Sequence, residues 1–304
     1  MNKSETELIN QINAMTKIKN HNVVLGIGDD CAVLKFNKTL YEIVSTDILI
    51  EDIHFDLNKI SVMDVGYKAM AVNVSDIAAM GGWAESAVVS LGIPEDFTQE
   101  DITQLYLGIN QCADMFDVSV IGGDSSKAYE FLVINIAIIG KVEKRNILYR
   151  KGAKNKDKIF VTGLLGASLV KKHYSFVPCI KQGRFLAENK IANAMIDLSD
   201  GIMKDLNEIL KASAIKGAVI NKNNVPVSDD CKSLYTNDDM IKHALCDGED
   251  FELLFTVSPK NIDKLQHSDF AVYEIGYIDN KLNGIWLKDG EKLEQLVFKG
   301  FEHF

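Results

Sequence analysis

Along this chain, short apolar runs rich in β-branched residues alternate with stretches whose apolar residues recur at helical spacing. The opening SETE is a capping-box pattern in which Ser4 bonds back to Glu7, and it predicts a helix running to about Thr16. VVLGIGDDCAVLKF holds two apolar runs separated by GIGDD, and YEIVSTDILI is a third strand-like run. From Asp64 to Met80 the pattern turns helical, and Gly81-Gly82 ends it. A strand (Ser86 to Ile93), a helix (Asp101 to Met115), a short strand into IGGD and a strand (Phe131 to Val142) complete the first half. The polar, basic stretch RKGAKNKDK, with Gly152 inside it, reads as a domain junction. Beyond it, KIFVTG starts a second alternation of strand and helix. The pattern predicts two α/β domains of similar size, 1–148 and 149–304.

A length of 304 residues favours two cores over one. Hydrophobic residues at 47% and charged residues at 25% are the balance of a soluble globular protein. No apolar run approaches the roughly 20 residues that cross a bilayer, and MNKSETELINQINAM lacks the apolar stretch of a secretory signal. A cytoplasmic protein is expected. The net charge of −10 repels nucleic acid and anionic membranes, so neither is an expected partner. Cys31, Cys112, Cys179, Cys231 and Cys246 are odd in number and form no CxxC pair. That argues against a disulfide framework and a structural zinc site, and for inert buried thiols.

The chemistry lies in the aspartates. Asp29 and Asp30 (GIGDD), Asp47 (STD), Asp124 (GGDSS), and Asp197 and Asp200 (IDLSDG) stand at predicted strand ends and in glycine turns, with Asp47, Asp124 and Asp197 each following, or nearly following, an apolar strand. An aspartate beside glycine is also an ordinary turn residue, whose side chain bonds its own backbone. Asp76 is different, because it shares one helical face with Val65, Ala69, Val72 and Ala79. A carboxylate on such a stripe needs a cation or strong donors. General acid–base work needs only two carboxylates. Six or seven that converge would repel by about 4 kcal/mol per close pair at an effective dielectric of 20. Hard divalent cations remove that repulsion, and oxygen-only ligands select magnesium, calcium or manganese over zinc.

Gly122, Gly123, Ser125 and Ser126 offer backbone N–H groups to a phosphate oxygen, although no P-loop and no GxGxxG fingerprint is present. GLLG, Gly163 to Gly166, opens a predicted helix; it is either an anion site at that helix's N-terminus or a plain strand-to-helix turn. Lys127 and Arg150 are the best-placed cations, each also readable as a solvated surface charge.

Taken in order, GIGDDCAVL, STDILIEDIHF, GYKAMAVNVSDIAAMGG, SLGIP, IGGDSS, YRKGAK, VTGLLG, MIDLSDGIMKDL, GEDFELLF and GFEHF resemble the thiamine-monophosphate kinases from about residue 24 to 304. The wider superfamily, which includes aminoimidazole ribonucleotide synthetase, shares the aspartate-rich turns. The resemblance implies an α/β fold with mixed sheets of the aminoimidazole ribonucleotide synthetase type. It also implies a homodimer pairing its N-terminal sheets, ATP as co-substrate, and several magnesium ions between ATP and thiamine monophosphate. Carried over by motif, Asp30, Ser45, Thr46, Asp47, Asp76, Asp124, Asp197 and Asp200 hold metal, with Asp47, Asp124 and Asp200 central to catalysis. Tyr106, Gly123, Arg150 and Ser199 contact ATP. His54, Glu249 and Phe301, rather than Phe304, hold the thiamine end. His54 also reads as a core histidine, Glu249 as a surface charge and Phe301 as packing. The chain departs from the family pattern at Lys127, where arginine is usual, and at Asp52, where glycine is common.

The substrate's own phosphate is the nucleophile, so direct in-line transfer needs no strong base, and the sequence shows no His–Asp or Cys–His pair. Two rivals stand beside this reading. Another ATP-dependent synthetase of the superfamily would carry its own substrate motif in place of ExxHF and GEDFELLF. A non-catalytic acidic metal-binding protein would bind no nucleotide.

Overall fold

The computed structural model describes residues 5–297. Ser4 of the expected capping box and Phe301 and Phe304 of the GFEHF tail lie outside the described residues. The first half contains α1 (Glu5–Met15), β1 (Val23–Leu25), β2 (Ala32–Lys35), β3 (Leu40–Ile50), α2 (Val62–Ala79), β4 (Trp83–Ile93), α3 (Gln99–Met115), β5 (Ser119–Lys127) and β6 (Val133–Glu143). Its six strands form one mixed sheet in the order β1-β2-β3-β6-β4-β5, in which only β4 and β5 run parallel.

The second half contains β7 (Lys158–Val161), α4 (Ile180–Glu188), β8 (Ala192–Asp197), α5 (Ile202–Ala212), β9 (Gly217–Asn221), α6 (Asp229–Leu234), α7 (Asn237–Cys246), β10 (Leu253–Val257), β11 (Tyr273–Ile278), β12 (Gly284–Asp289) and β13 (Lys292–Gln295). These strands make a second mixed sheet, β13-β12-β9-β11-β7-β10-β8. The alternation predicted for this half gives way after β10 to three successive strands.

α2 is the centre of the molecule. Ser61 caps it by accepting from the Asp64 N–H at 3.1 Å. Fourteen of its residues are buried, so it has no solvent face, and each of its polar side chains must find a partner inside. One side lies on β3, β4 and β6, another on α3, and a third on α4 and β8 of the second half. The contact with α3 is close because two glycines meet there. A Cβ on Gly108 would stand 1.8 Å from the Met63 carbonyl oxygen, and one on Gly66 would stand 2.0 Å from that of Leu105.

Three expectations need correcting. Asp47 and Asp124 lie inside strands, not after them: β3 continues to Ile50 and β5 to Lys127. In β5, Gly123 pairs with Val89, and a Cβ there would meet the Val89 carbonyl oxygen at 1.8 Å. Strand approach therefore accounts for that glycine locally. GLLG opens no α-helix. Gly166 (φ +86°) and Ala167 (φ +57°) turn the chain into two short 3-10 turns, Ser168–Val170 and Lys172–Tyr174. The Gly166 N–H already points at the Asp250 carboxylate at 3.1 Å, which leaves no place for an anion.

Candidate active site

The pleat of β3 decides which of its polar residues meet α2. Ser45 and Asp47 face the helix, where the Ser45 hydroxyl donates to Asp76 and the Asp47 N–H donates to Asn73 Oδ1 at 3.1 Å. Thr46 points to the other face, where it is exposed and donates to the Ile136 carbonyl at 3.0 Å.

On the helix side three segments converge. Asp30 from the GIGDD turn, Asp76 from α2 and Asp197 from the end of β8 present carboxylate oxygens within 4.8 Å of one another. The Arg150 guanidinium holds Asp30 Oδ1 through Nη2 at 2.6 Å and Nε at 3.1 Å. The Arg150 N–H donates to Asp29 Oδ1 at 3.1 Å. Asp30 Oδ2 is buried and has no hydrogen-bond partner among the described residues. Asp200 sits beside this group, 2.8 Å from Lys204 Nζ, and its N–H donates to the buried Asp205 at 3.2 Å.

Burial and mutual repulsion push these carboxyls upward. Burial and Asp30 raise Asp29 to about 7. Burial first, and then the charges of Asp200, Asp30 and Glu249, raise Asp47 to about 6 against its bond to Asp76. Burial and Asp30 raise Asp197 to about 8. Asp76 moves well above the ordinary carboxylate range through burial and the charges of Asp47, Asp197 and Asp30. The donor set fits a hard divalent cation: three oxygens within reach of one point, one of their carboxylates carrying an orphaned atom, and no sulfur ligand. The nearby Cys31 thiol, raised far from ionisation by burial, bonds the Asp76 carbonyl instead. All five cysteines are free, and all but Cys246 are buried.

The GEDFE segment forms the other end of the site. Gly248, Glu249 and Phe251 all adopt positive φ, and this turn gives each carboxylate its own partners. Glu249 meets Lys68 and His173, Asp250 takes the Gly166 N–H and the Ser168 hydroxyl, and Glu252 takes Thr162 and Lys172. The Glu249 N–H also donates to the Ser199 carbonyl at 2.7 Å, joining this turn to the Asp200 loop. His54 Nδ1 accepts the Ile50 N–H at 2.9 Å, so its neutral ring carries the proton on Nε2. Asp52 takes φ +63°, a conformation that suits glycine.

Not every expected residue joins these two groups. Asp124 is exposed, three strands from β3 and level with Ile48, on the face that Thr46 occupies. Tyr106 is half-buried on α3, and its chain neighbour Leu105 meets α2 at Gly66. That is ten residues, about 15 Å of helix, from Asp76. Lys127 is exposed and paired with Glu95 at 2.9 Å. Conversely, Lys68, Asn73, Ser75, His173 and Asp205 belong to the site, and the sequence reading did not single them out. For the α2 members a signal existed: a helix apolar on every side buries its few polar residues. A surface groove of about 650 Å³ near Pro226, Asn237 and Tyr273 shares no residue with this site.

Residues 28–142, which hold α2 and every strand of the first sheet but β1, match the family described as AIR synthase related protein, N-terminal domain. The thiamine-monophosphate kinase of Bacillus subtilis (strain 168) is 35% identical over 99% of both chains. That of Buchnera aphidicola subsp. Acyrthosiphon pisum is 37% identical over 100% of both. Among solved structures, AaThiL complexed with AMPPCP and TMP matches with a TM-score of 0.85 at 29% identity, covering 99% of this chain and 97% of that one. The chain belongs to the thiamine-monophosphate kinase family.

Proposed function

We propose that this protein transfers the γ-phosphoryl group of ATP to thiamine monophosphate, giving thiamine diphosphate and ADP. The observation that carries the reading is the Asp30–Asp76–Asp197 group with its orphaned oxygen, in a chain of this family. A phosphate-monoester oxygen of the acceptor forms the new bond to the γ-phosphorus as the bond to the β–γ bridging oxygen breaks. Because a phosphate monoester is largely dianionic near pH 7, no strong base is required. The protein's task is to align two anions and offset their repulsion. Asp30, Ser45, Thr46, Asp47, Asp76, Asp124, Asp197 and Asp200 would hold magnesium, which supplies that charge neutralisation.

Arg150, Ser199, Gly123 and Tyr106 serve the nucleotide. Arg150 adds a guanidinium fork and Gly123 a backbone free of any side chain. Glu249 and His54 face the thiamine end, where a carboxylate suits an amine donor and His54 Nε2–H suits an acceptor. Phe301 completes that end by stacking on a cationic ring. Residues 1–148 supply most of the carboxylates, and residues 149–304 close the nucleotide and acceptor sites.

Thr46, Gly123 and Asp124 join the reaction across a homodimer that packs the outer faces of two N-terminal sheets. Ile48, Val88 and Ile121 leave that sheet region partly apolar, with exposures of 50%, 37% and 63%. The protein acts in the cytoplasm; among the described residues no helix is long and apolar enough to cross a membrane. Incubating purified protein with thiamine monophosphate, ATP and magnesium should yield thiamine diphosphate by chromatography. ADP without that product would end the proposal and point to another acceptor.

A further inference from the structure

α2 buries one charge that no motif explains. Lys68 has 0% exposure, and its ammonium lies 2.7 Å from the His54 carbonyl oxygen, 2.9 Å from His173 Nδ1 and 2.5 Å from Glu249 Oε2. An ammonium has three N–H donors; the His54 carbonyl and Glu249 Oε2 take two of them, and His173 Nδ1 either accepts the third or, in the other tautomer, donates to Glu249. These three residues come from three separate segments: the loop after β3, the 3-10 turn Lys172–Tyr174, and the turn before β10. His173, itself buried, also lies 3.1 Å from the same Glu249 oxygen. Burial pushes the Glu249 carboxyl up, but His173 and Lys68 beside it more than offset that and hold it below its ordinary value.

A lysine here is costly for packing alone, because a fully buried ammonium forfeits its hydration and an apolar side chain of similar length would fill the space. What the lysine supplies is geometry. It fixes Oε2 of Glu249, while Oε1 accepts no hydrogen bond from a described residue and the side chain keeps 21% exposure. It also ties down the backbone of His54, the other residue facing the same end of the site.

We propose that Lys68, together with His173, is a positioning residue that aims the Glu249 carboxylate at the organic end of the acceptor substrate. It thereby sets affinity for the acceptor and leaves nucleotide affinity alone. The inference rests on the reading of Glu249 as a thiamine-end contact, and the test separates the two.

Calorimetry would measure thiamine monophosphate and a non-hydrolysable ATP analogue, each with magnesium, on wild type, Lys68→Met, Glu249→Gln and the double variant. Lys68→Met should weaken the acceptor about tenfold or more, with the nucleotide analogue within about twofold of wild type. The double variant should bind the acceptor no more weakly than Glu249→Gln alone, because Lys68 acts through that carboxylate. It should also melt at a higher temperature than Lys68→Met, since the unpaired buried charge is gone. Loss of acceptor binding in Glu249→Gln but not in Lys68→Met overturns the positioning role while the reading of Glu249 stands. Parallel weakening of both ligands, or additive losses, overturns it as well. Unchanged acceptor binding in Glu249→Gln removes the reading of Glu249, and the inference with it. Should Lys68→Met not fold, His173→Gln carries the same comparison.

Discussion

Ser75 Oγ donates to Asp197 Oδ2 at 2.6 Å, so the helix behind the first sheet is bonded to the last residue of a strand in the second. Both groups are buried, with exposures of 1% and 3%, so water cannot replace the bond. Leaving a buried oxygen without its hydrogen-bond donor typically costs about 1–3 kcal/mol. Ser75→Ala should therefore lower the melting temperature and weaken magnesium binding, because Asp197 loses the donor that orients it. An unchanged melt and an unchanged magnesium titration would show that the bond orders nothing.

Asp76 predicts the opposite sign. Burial and the charges of Asp47, Asp197 and Asp30 hold its pKa well above the ordinary range, so at neutral pH metal-free folding must take up a proton or bury a charge there; Asp76→Asn avoids both and should raise the metal-free melting temperature. The same change should shrink the rise that magnesium chloride gives wild type. A lower metal-free melt in Asp76→Asn would contradict the crowding argument.

The pH dependence follows from the same crowding. Asp47 at about 6 and Asp197 at about 8 are raised above the ordinary 3.8. Their contribution is fully present below the unfolded value and disappears as pH rises through the folded values. Metal-free protein should thus melt at a lower temperature at pH 8 than at pH 6, and added magnesium should recover more at pH 8. Differential scanning fluorimetry at the two pH values decides it, and a flat or rising metal-free curve counts against it.

Asp47→Asn and Asp124→Asn should each cut phosphoryl transfer by about 10²-fold or more, as loss of a transition-state charge partner does. Circular dichroism should stay native in both, since Asp124 is exposed and Asp47 loses only charge. Near-wild-type turnover in Asp124→Asn would remove the outer face of the sheet from the reaction.

Gly108→Ala tests the fold apart from the chemistry. Its Cβ would sit 1.8 Å from the Met63 carbonyl oxygen, which forces α3 away from α2. Overpacking of this kind costs about 1–3 kcal/mol, readable in urea unfolding. Wild-type stability would mean that the two helices can part freely.

Much of this architecture was legible in the chain. The helix from Asp64 to Met80 and the strands around Asp47 and after Phe131 appear within a few residues of their predicted bounds, because period and glycine breaks act locally. GGDSS lies within a strand because, although a glycine pair reads as a turn, Gly123 here lets two strands approach. The carboxylates of Asp30, Asp76 and Asp197, far apart in the chain, lie within 4.8 Å of one another. Lys68, Ser75 and His173 escaped notice because their roles exist only once the two halves of the chain are packed together. The outward turn of Thr46 depended on the pleat of β3, which a polar STD leaves undetermined.

One helix carries both poles of the site. Lys68 and Asp76 are eight residues apart on α2, about 12 Å of axial rise. On the reading proposed above, the pitch of that single segment works as a ruler between the ring and the phosphates of the acceptor. One residue inserted between the two would turn the far pole by about 100°. The spacing between Lys68 and Asp76 is thus fixed by a count of residues.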